Sequence, residues 1–173
     1  MPGVRSFTTQ YKGLSRVLVG DVGLAVAYDP SVIQGAQRPL FKCFKGIWDT
    51  GATSSVITQK VVEELGLQPI GMTQVSHAHG KTVAEVYLVN ISLPNGVAFA
   101  GITVTKGDLA TNDVLIGMDI IGQGDFAVSN HNNRTTFSYR APSVERSEQT
   151  ATPETGFSGK SMFIGVLEDC LRK

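Results

Sequence analysis

The residues of this chain best suited to chemistry sit in one run, Ile47-Trp48-Asp49-Thr50-Gly51-Ala52-Thr53-Ser54-Ser55-Val56-Ile57-Thr58. Apolar residues lead into Asp49, and a second apolar pair follows three small hydroxyl residues. The pattern reads as a buried strand, a tight turn presenting one carboxylate, and a second strand. A carboxylate set so close to a core is costly unless it is hydrogen-bonded or put to use, which makes Asp49 the candidate acid–base group. Gly51 lets the backbone turn sharply and lets another chain approach. Thr50 carries a hydroxyl able to donate and accept, suited to bracing the turn. Taken alone, Asp-Thr-Gly is also an ordinary turn of a β protein, and the remaining chain has to discriminate.

Other candidate groups are weaker. His77-Ala78-His79, with His131 as a third ligand, suggests a metal, but Lys81-Thr82-Val83 supplies no further ligands. A polar hairpin tip is the better reading, and no metal or other cofactor is assigned. Gly80-Lys81-Thr82 and Gly159-Lys160-Ser161 resemble the end of a phosphate loop, yet the glycine needed five residues earlier is Val75 or Glu154. Gly122-Gln123-Gly124 echoes a dinucleotide fingerprint, but a strand-like run follows instead of a helix. Asp113, Asp119 and Asp125 read as a strand edge, a helix start and a turn, with Asp119 also a candidate brace for the Asp49 loop.

The elements that must position Asp49 are mostly short strands. Residues 1–12 are polar and read as a loose N-terminus. Leu14 to Val19 and Gly23 to Tyr28 read as two strands joined by a turn at Gly20-Asp21. Asp29-Pro30-Ser31 is a turn, residues 35–39 a loop, and Phe41 to Trp48 a strand. Thr58 begins a short helix that Gly66 stops, with Val61, Val62 and Leu65 on one face. Val75 to Val89 reads as a hairpin whose tip holds His77 to Lys81. Val86 to Leu93 and Val97 to Val104 flank Asn95-Gly96, a strong hairpin signal. Val114-Leu115-Ile116-Gly117 reads as a buried strand passing close to another backbone, with a helical turn from Asp119. Phe126 to Ser129 and Thr135 to Tyr139 form a last hairpin. Residues 143–159, rich in Ser, Thr, Glu, Pro and Gly, read as a flexible linker, followed by a short docking helix or strand over 161–171.

Composition bounds the function. The chain has 173 residues, 42% hydrophobic and 17% charged, with 19 glycines. This fits a single globular domain rich in turns and short strands. Lys+Arg and Asp+Glu both total 15, so bulk charge supports neither nucleic-acid nor anionic-membrane binding. No stretch approaches the ~18 apolar residues of a membrane span, and the first residues lack a signal-peptide core. Cys43 and Cys170 form no disulfide framework or metal motif. A soluble cytoplasmic protein is the expectation, and the sequons at Asn90 and Asn133 carry no weight in that compartment.

Asp49-Thr50-Gly51-Ala52, the glycine-bearing hairpin around Gly80 and Leu115-Ile116-Gly117 followed by a short helix occur in the order of the retropepsin-like aspartic proteases. The chain resembles that family over about residues 41–139. The resemblance implies an all-β, acid-protease-like closed barrel with a flap hairpin and one or two short helices, spanning 13–140, with 141–173 as a tail. It makes Asp49 catalytic, Thr50, Gly51, Ala52 and Gly117 supports of its loop, and His77, Ala78, His79 and Gly80 a substrate-covering flap. The family's chemistry needs two carboxylates sharing a proton. One chain carries one such motif, since Asp21-Val22-Gly23 lacks the hydroxyl residue. The implication is a homodimer cleaving an extended peptide or protein substrate through an Asp49 pair. Retroviral members usually pair an acidic residue after Asp-Thr-Gly-Ala with an arginine after the third-motif glycine. Thr53, Ser54 and Met118 stand there instead, as in the cellular and bacterial branch. The competing expectation is a peptide-binding or dimerisation module that keeps the fold without the activity.

Overall fold

The structure, a computed structural model, describes residues 3–77 and 80–144. The flap residues Ala78 and His79, and the linker and docking element expected beyond residue 144, lie outside them.

Among the described residues, ten strands and two short helices follow one another: β1 (Arg5–Gln10), β2 (Leu18–Val26), β3 (Lys42–Trp48), β4 (Val56–Ile57), α1 (Gln59–Leu65), β5 (Gly71–His77), β6 (Gly80–Ser92), β7 (Ala98–Lys106), β8 (Val114–Ile116), α2 (Met118–Ile121), β9 (Asp125–His131) and β10 (Arg134–Ala141). The fold is all-β, as expected. One sheet runs β2-β3-β8-β4-β7-β6-β5, and β2 also pairs with β6, so six strands join in a ring with β5 outside it. The ring is thin at β4, where two residues pair on each side, and the barrel is therefore partial. No helix among the described residues is long and apolar enough to cross a membrane.

Two expectations need correction. Residues 5–10 are not loose. They form β1, paired along its length with β10, because one residue, Phe7, is buried against Phe137, Trp48 and Tyr139. A single aromatic anchor in a polar segment is easily missed by composition. Gly20-Asp21 likewise makes no turn. β2 runs straight through it, with Gly20 opposite Gly46 and Asp21 opposite Lys45, and Lys45 Nζ meets Asp21 Oδ1 at 2.5 Å.

Other local readings match their chemistry. Gly66 ends α1 in the left-handed region (φ 63°) and donates its N–H to the Val62 and Glu63 carbonyls. Asn95 and Gly96 take positive φ at the β6–β7 turn. Asn90 is buried at a bulge in β6, its amide donating to the Tyr28 carbonyl and accepting from Gly101 N–H, both at 2.8 Å. This removes it from the surface, whatever its sequon.

A separate sheet, β1-β10-β9, carries most of the aromatic core. Trp48, the residue before Asp49, lies 4.9 Å from Phe137, 5.1 Å from Tyr139 and 6.0 Å from Phe126 by ring centroids. The buried Tyr139 hydroxyl donates to the Ile120 carbonyl at 2.6 Å, tying this sheet to α2. Burial raises the phenol pKa far above its ordinary value. The Ile120 carbonyl also accepts from Gln123 N–H at 3.0 Å, so Tyr139→Phe removes one of its two bonds and is expected to cost about 0.5–1.5 kcal/mol, measured by denaturant unfolding.

Asp113 links the elements at the start of β8. Its carboxylate accepts from Lys45 N–H at 3.2 Å and Lys60 Nζ at 2.9 Å. Desolvation pushes its pKa up, but Lys60 and the Lys45 amide outweigh this and hold it below 3.8. A depressed carboxylate contributes stability that is present above its unfolded pKa and lost as pH falls through its folded one. The acid limb of a thermal-stability titration is therefore expected to flatten in Asp113→Asn below about pH 4. At neutral pH the variant should melt lower than the wild type.

Candidate active site

β3 delivers Asp49 from the floor of the ring. Its strand is held on one side by β2 and on the other, in parallel, by β8, with Trp48 opposite Ile116. Asp49 N–H continues that pairing by donating to the Ile116 carbonyl at 3.0 Å. The chain then turns. Ala52 N–H donates back to the Asp49 carbonyl at 3.3 Å, and Gly51 N–H donates to Asp49 Oδ1 at 2.8 Å. The carboxylate is thus oriented by its own turn and is only partly buried, while Thr50 and Gly51 are exposed.

The loop rests on the crossing of β8 into α2. A Cβ added at Gly117 would lie 2.7 Å from the Ser54 carbonyl carbon and oxygen and 3.0 Å from Ala52 O. Only a glycine permits this approach, as its place after Leu115-Ile116 suggested. The contact lets Met118 N–H donate to Ala52 O at 2.8 Å and Gly117 N–H donate to Ser55 Oγ at 3.1 Å.

Asp119 completes the support. Ser55 N–H donates to its Oδ2 at 2.9 Å, Ser55 Oγ–H donates to Oδ1 at 2.8 Å, and Ile120 N–H donates to Oδ1 at 3.0 Å. This carboxylate replaces the acidic–arginine pair that Thr53, Ser54 and Met118 cannot make, and Asp119 was singled out for that role by sequence. Ser55 was not. It is fully buried, it accepts from Gly117 while donating to Asp119, and its carbonyl accepts from Thr105 N–H at 3.2 Å. Its signal was its position: β4 begins at the next residue, so Ser55 is the last of the three hydroxyl residues before the strand.

Asp49, Thr50, Gly51, Ala52 and Gly117 therefore come together as one unit. The residues expected to form a flap begin and end on a different element. His77 and Gly80 are the last paired residues of the β5–β6 hairpin, and Gly80 takes φ +126°. His131 lies on β9, in the other sheet from His77.

Residues 42–123 match the family described as "gag-polyprotein putative aspartyl protease". No curated protein sequence matches the chain. Among solved structures, a retropepsin-like aspartic protease from Rickettsia conorii is similar at 14% identity, with 80% of this chain and 96% of that one covered and a TM-score of 0.48. An EIAV protease complexed with an inhibitor is similar at 19% identity, over 65% of this chain and 90% of that one, with a TM-score of 0.42. The retroviral protease-like domain of Ddi1 from Leishmania major is 16% identical over 68% of this chain and 91% of its own, with a TM-score of 0.36.

Asp119→Ala strands two Ser55 donors beneath the loop, while Ile120 N–H keeps the Gly117 carbonyl at 3.1 Å. The expected cost is about 1–3 kcal/mol for each donor left without a partner, read as a lower denaturant midpoint. Asp119→Asn, whose amide oxygen can still accept, should lose distinctly less.

Proposed function

From a chain that resembles the retropepsin-like aspartic proteases across residues 42–123, we propose an aspartic endopeptidase that acts as a homodimer. The observation that carries this reading is the Asp49 turn. It presents a partly buried carboxylate with one oxygen held by Gly51 N–H, on a loop seated against Gly117.

In the proposed enzyme, two copies bring their Asp49 carboxylates together on a two-fold axis, since an isologous interface duplicates the group without a second motif. Like charges that close do not both ionise, so the pair holds one proton between them. The ionised member takes a proton from a shared water, and the protonated member donates to the carbonyl oxygen of the scissile peptide bond. Water oxygen adds to the carbonyl carbon, and the C–N bond breaks as the amine leaves protonated. Gly51 leaves room for the substrate backbone. His77, Ala78, His79 and Gly80 cover the substrate as a flap, and the extended peptide is bound as an added strand. The pair titrates as a unit, which predicts a bell-shaped pH–rate profile with its optimum between two macroscopic ionisations.

Digestion of a mixed peptide library from mildly acidic to neutral pH, read by mass spectrometry, tests this reading. Wild type is expected to cleave and Asp49→Asn to lose at least about 1,000-fold in rate, with its fold intact by circular dichroism. Equal peptide binding by both proteins and cleavage by neither would instead indicate a binding module.

A further inference from the structure

One glycine in the middle of β2 has no neighbour that requires it. Gly20 and Gly46 lie opposite each other and share the face of Trp48. Gly46 is explained by its surroundings, since a Cβ there would lie 2.4 Å from Val22 Cγ2. A Cβ at Gly20 would meet nothing within 4 Å. A bare glycine inside a strand forgoes packing and often marks the close approach of a ligand. Gly20 lines a cavity of about 380 Å³ between the two sheets, together with the rings of Phe7, Trp48 and Phe137. That volume suits a small molecule.

The backbone beside Gly20 supplies the polar half of this site. Lys45 N–H donates to Asp113 Oδ2 and the Lys45 carbonyl accepts from Asp113 N–H, both on the β8 side of β3. Alternation along the ladder then turns Gly20 and Val22 toward β3, and Val19, Asp21 and Gly23 away from it. Val19 is satisfied, because the Tyr11 hydroxyl donates to its carbonyl and accepts from its N–H, each at 3.0 Å. Gly23 lies opposite Ser92, where the pairing of β2 with β6 begins. Continuing that register would set Pro94 against Asp21. Pro94 has no N–H, and its carbonyl accepts from Val97 N–H at 3.4 Å. Asp21 therefore turns one N–H and one C=O toward the cavity that it and Pro94 both line. One open residue between two satisfied ones is too short to add a strand. It fits a small molecule with an acceptor and a donor side by side.

Charge narrows the class further. Asp21 and Lys45 are the charged groups lining the cavity among the described residues, and they pair with each other at 2.5 Å. A neutral ligand matches such a wall, and an ionic one finds no unpaired counter-charge. We propose that this cavity binds a neutral, planar, fused-ring heterocycle carrying a lactam-type edge. The ligand N–H donates to the Asp21 carbonyl, and its C=O accepts from Asp21 N–H. Its rings fill the space beside Trp48 that the missing Gly20 side chain leaves. No part of this site draws on the Asp49 pair, so it stands or falls apart from the peptidase reading.

The chain has one tryptophan, so a nitrogen-resolved NMR spectrum of the full chain reports Trp48 as a single indole N–H signal. Carbostyril, a neutral bicyclic lactam, is expected to shift that signal with a Kd of about 1 mM or tighter. N-methylcarbostyril keeps the rings and the carbonyl but lacks the N–H, and should bind at least about tenfold more weakly. Gly20→Val puts a side chain into the open space. It is expected to fold and to melt no lower than the wild type, because nothing has to move and valine favours strands. Its Kd for carbostyril should rise at least about 30-fold, and Gly20→Ala, a smaller filler, should give a lesser rise in the same direction. No shift of the Trp48 signal up to the solubility limit, or binding that both folded variants leave intact, overturns the site. Equal affinity for carbostyril and its methylated analogue overturns the Asp21 edge as the recognition element.

Discussion

The structure depends on one close approach, that of the backbone at Gly117 to the backbone at Ala52 and Ser54. Where two chains cross at this distance there is no room for a side chain, and the peptide groups bond each other directly. Met118 N–H reaches Ala52 O and Gly117 N–H reaches Ser55 Oγ. A turn held this way keeps its shape under the load of a partly buried carboxylate. Turns fixed by exposed side-chain pairs carry less, because solvent and rotamer entropy compete for the same groups.

The second support solves an electrostatic problem without a cation. Asp119 is a carboxylate placed against the Asp49 loop, and it is met by Ser55 N–H, Ser55 Oγ–H and Ile120 N–H. Hydrogen bonds from neutral donors to an ionised acceptor are shorter and stronger than neutral pairs. They also cost less desolvation than burying an arginine beside the aspartate. An arginine-free brace is thus physically sufficient where Thr53, Ser54 and Met118 stand. Below the loop, the aromatic layer of Trp48, Phe137, Tyr139, Phe126 and Phe7 transmits the position of the three-stranded sheet to the residue before Asp49. The ring of strands and this sheet therefore meet at the candidate site.

Much of this was legible in the residue order because local chemistry dictated it. Asp-Thr-Gly-Ala between apolar runs marked the turn. Thr58 to Gly66 marked α1, and Asn95-Gly96 sat at the turn between β6 and β7. A glycine after two apolar residues announced the crossing at Gly117. The misreadings share one cause: each segment's fate depended on a distant partner. Phe7 orders β1 only because Phe137, Trp48 and Tyr139 are waiting for it, more than forty residues away in sequence. Gly20-Asp21 stays extended because Gly46 and Lys45 lie opposite. Ser55 looked like one of three interchangeable hydroxyl residues until the position of Asp119 selected it.

The amino-acid sequence by itself determined the alternating patterns, the turns and the one carboxylate fit for acid–base work, since these follow from side-chain polarity and backbone freedom over a few residues. Tertiary structure alone decided which hydroxyl braces the loop, which polar strand joins the aromatic layer, and which sheet edge stays open. Those outcomes turn on contacts between residues 41 to 132 positions apart, and no local preference encodes the geometry in which such groups meet.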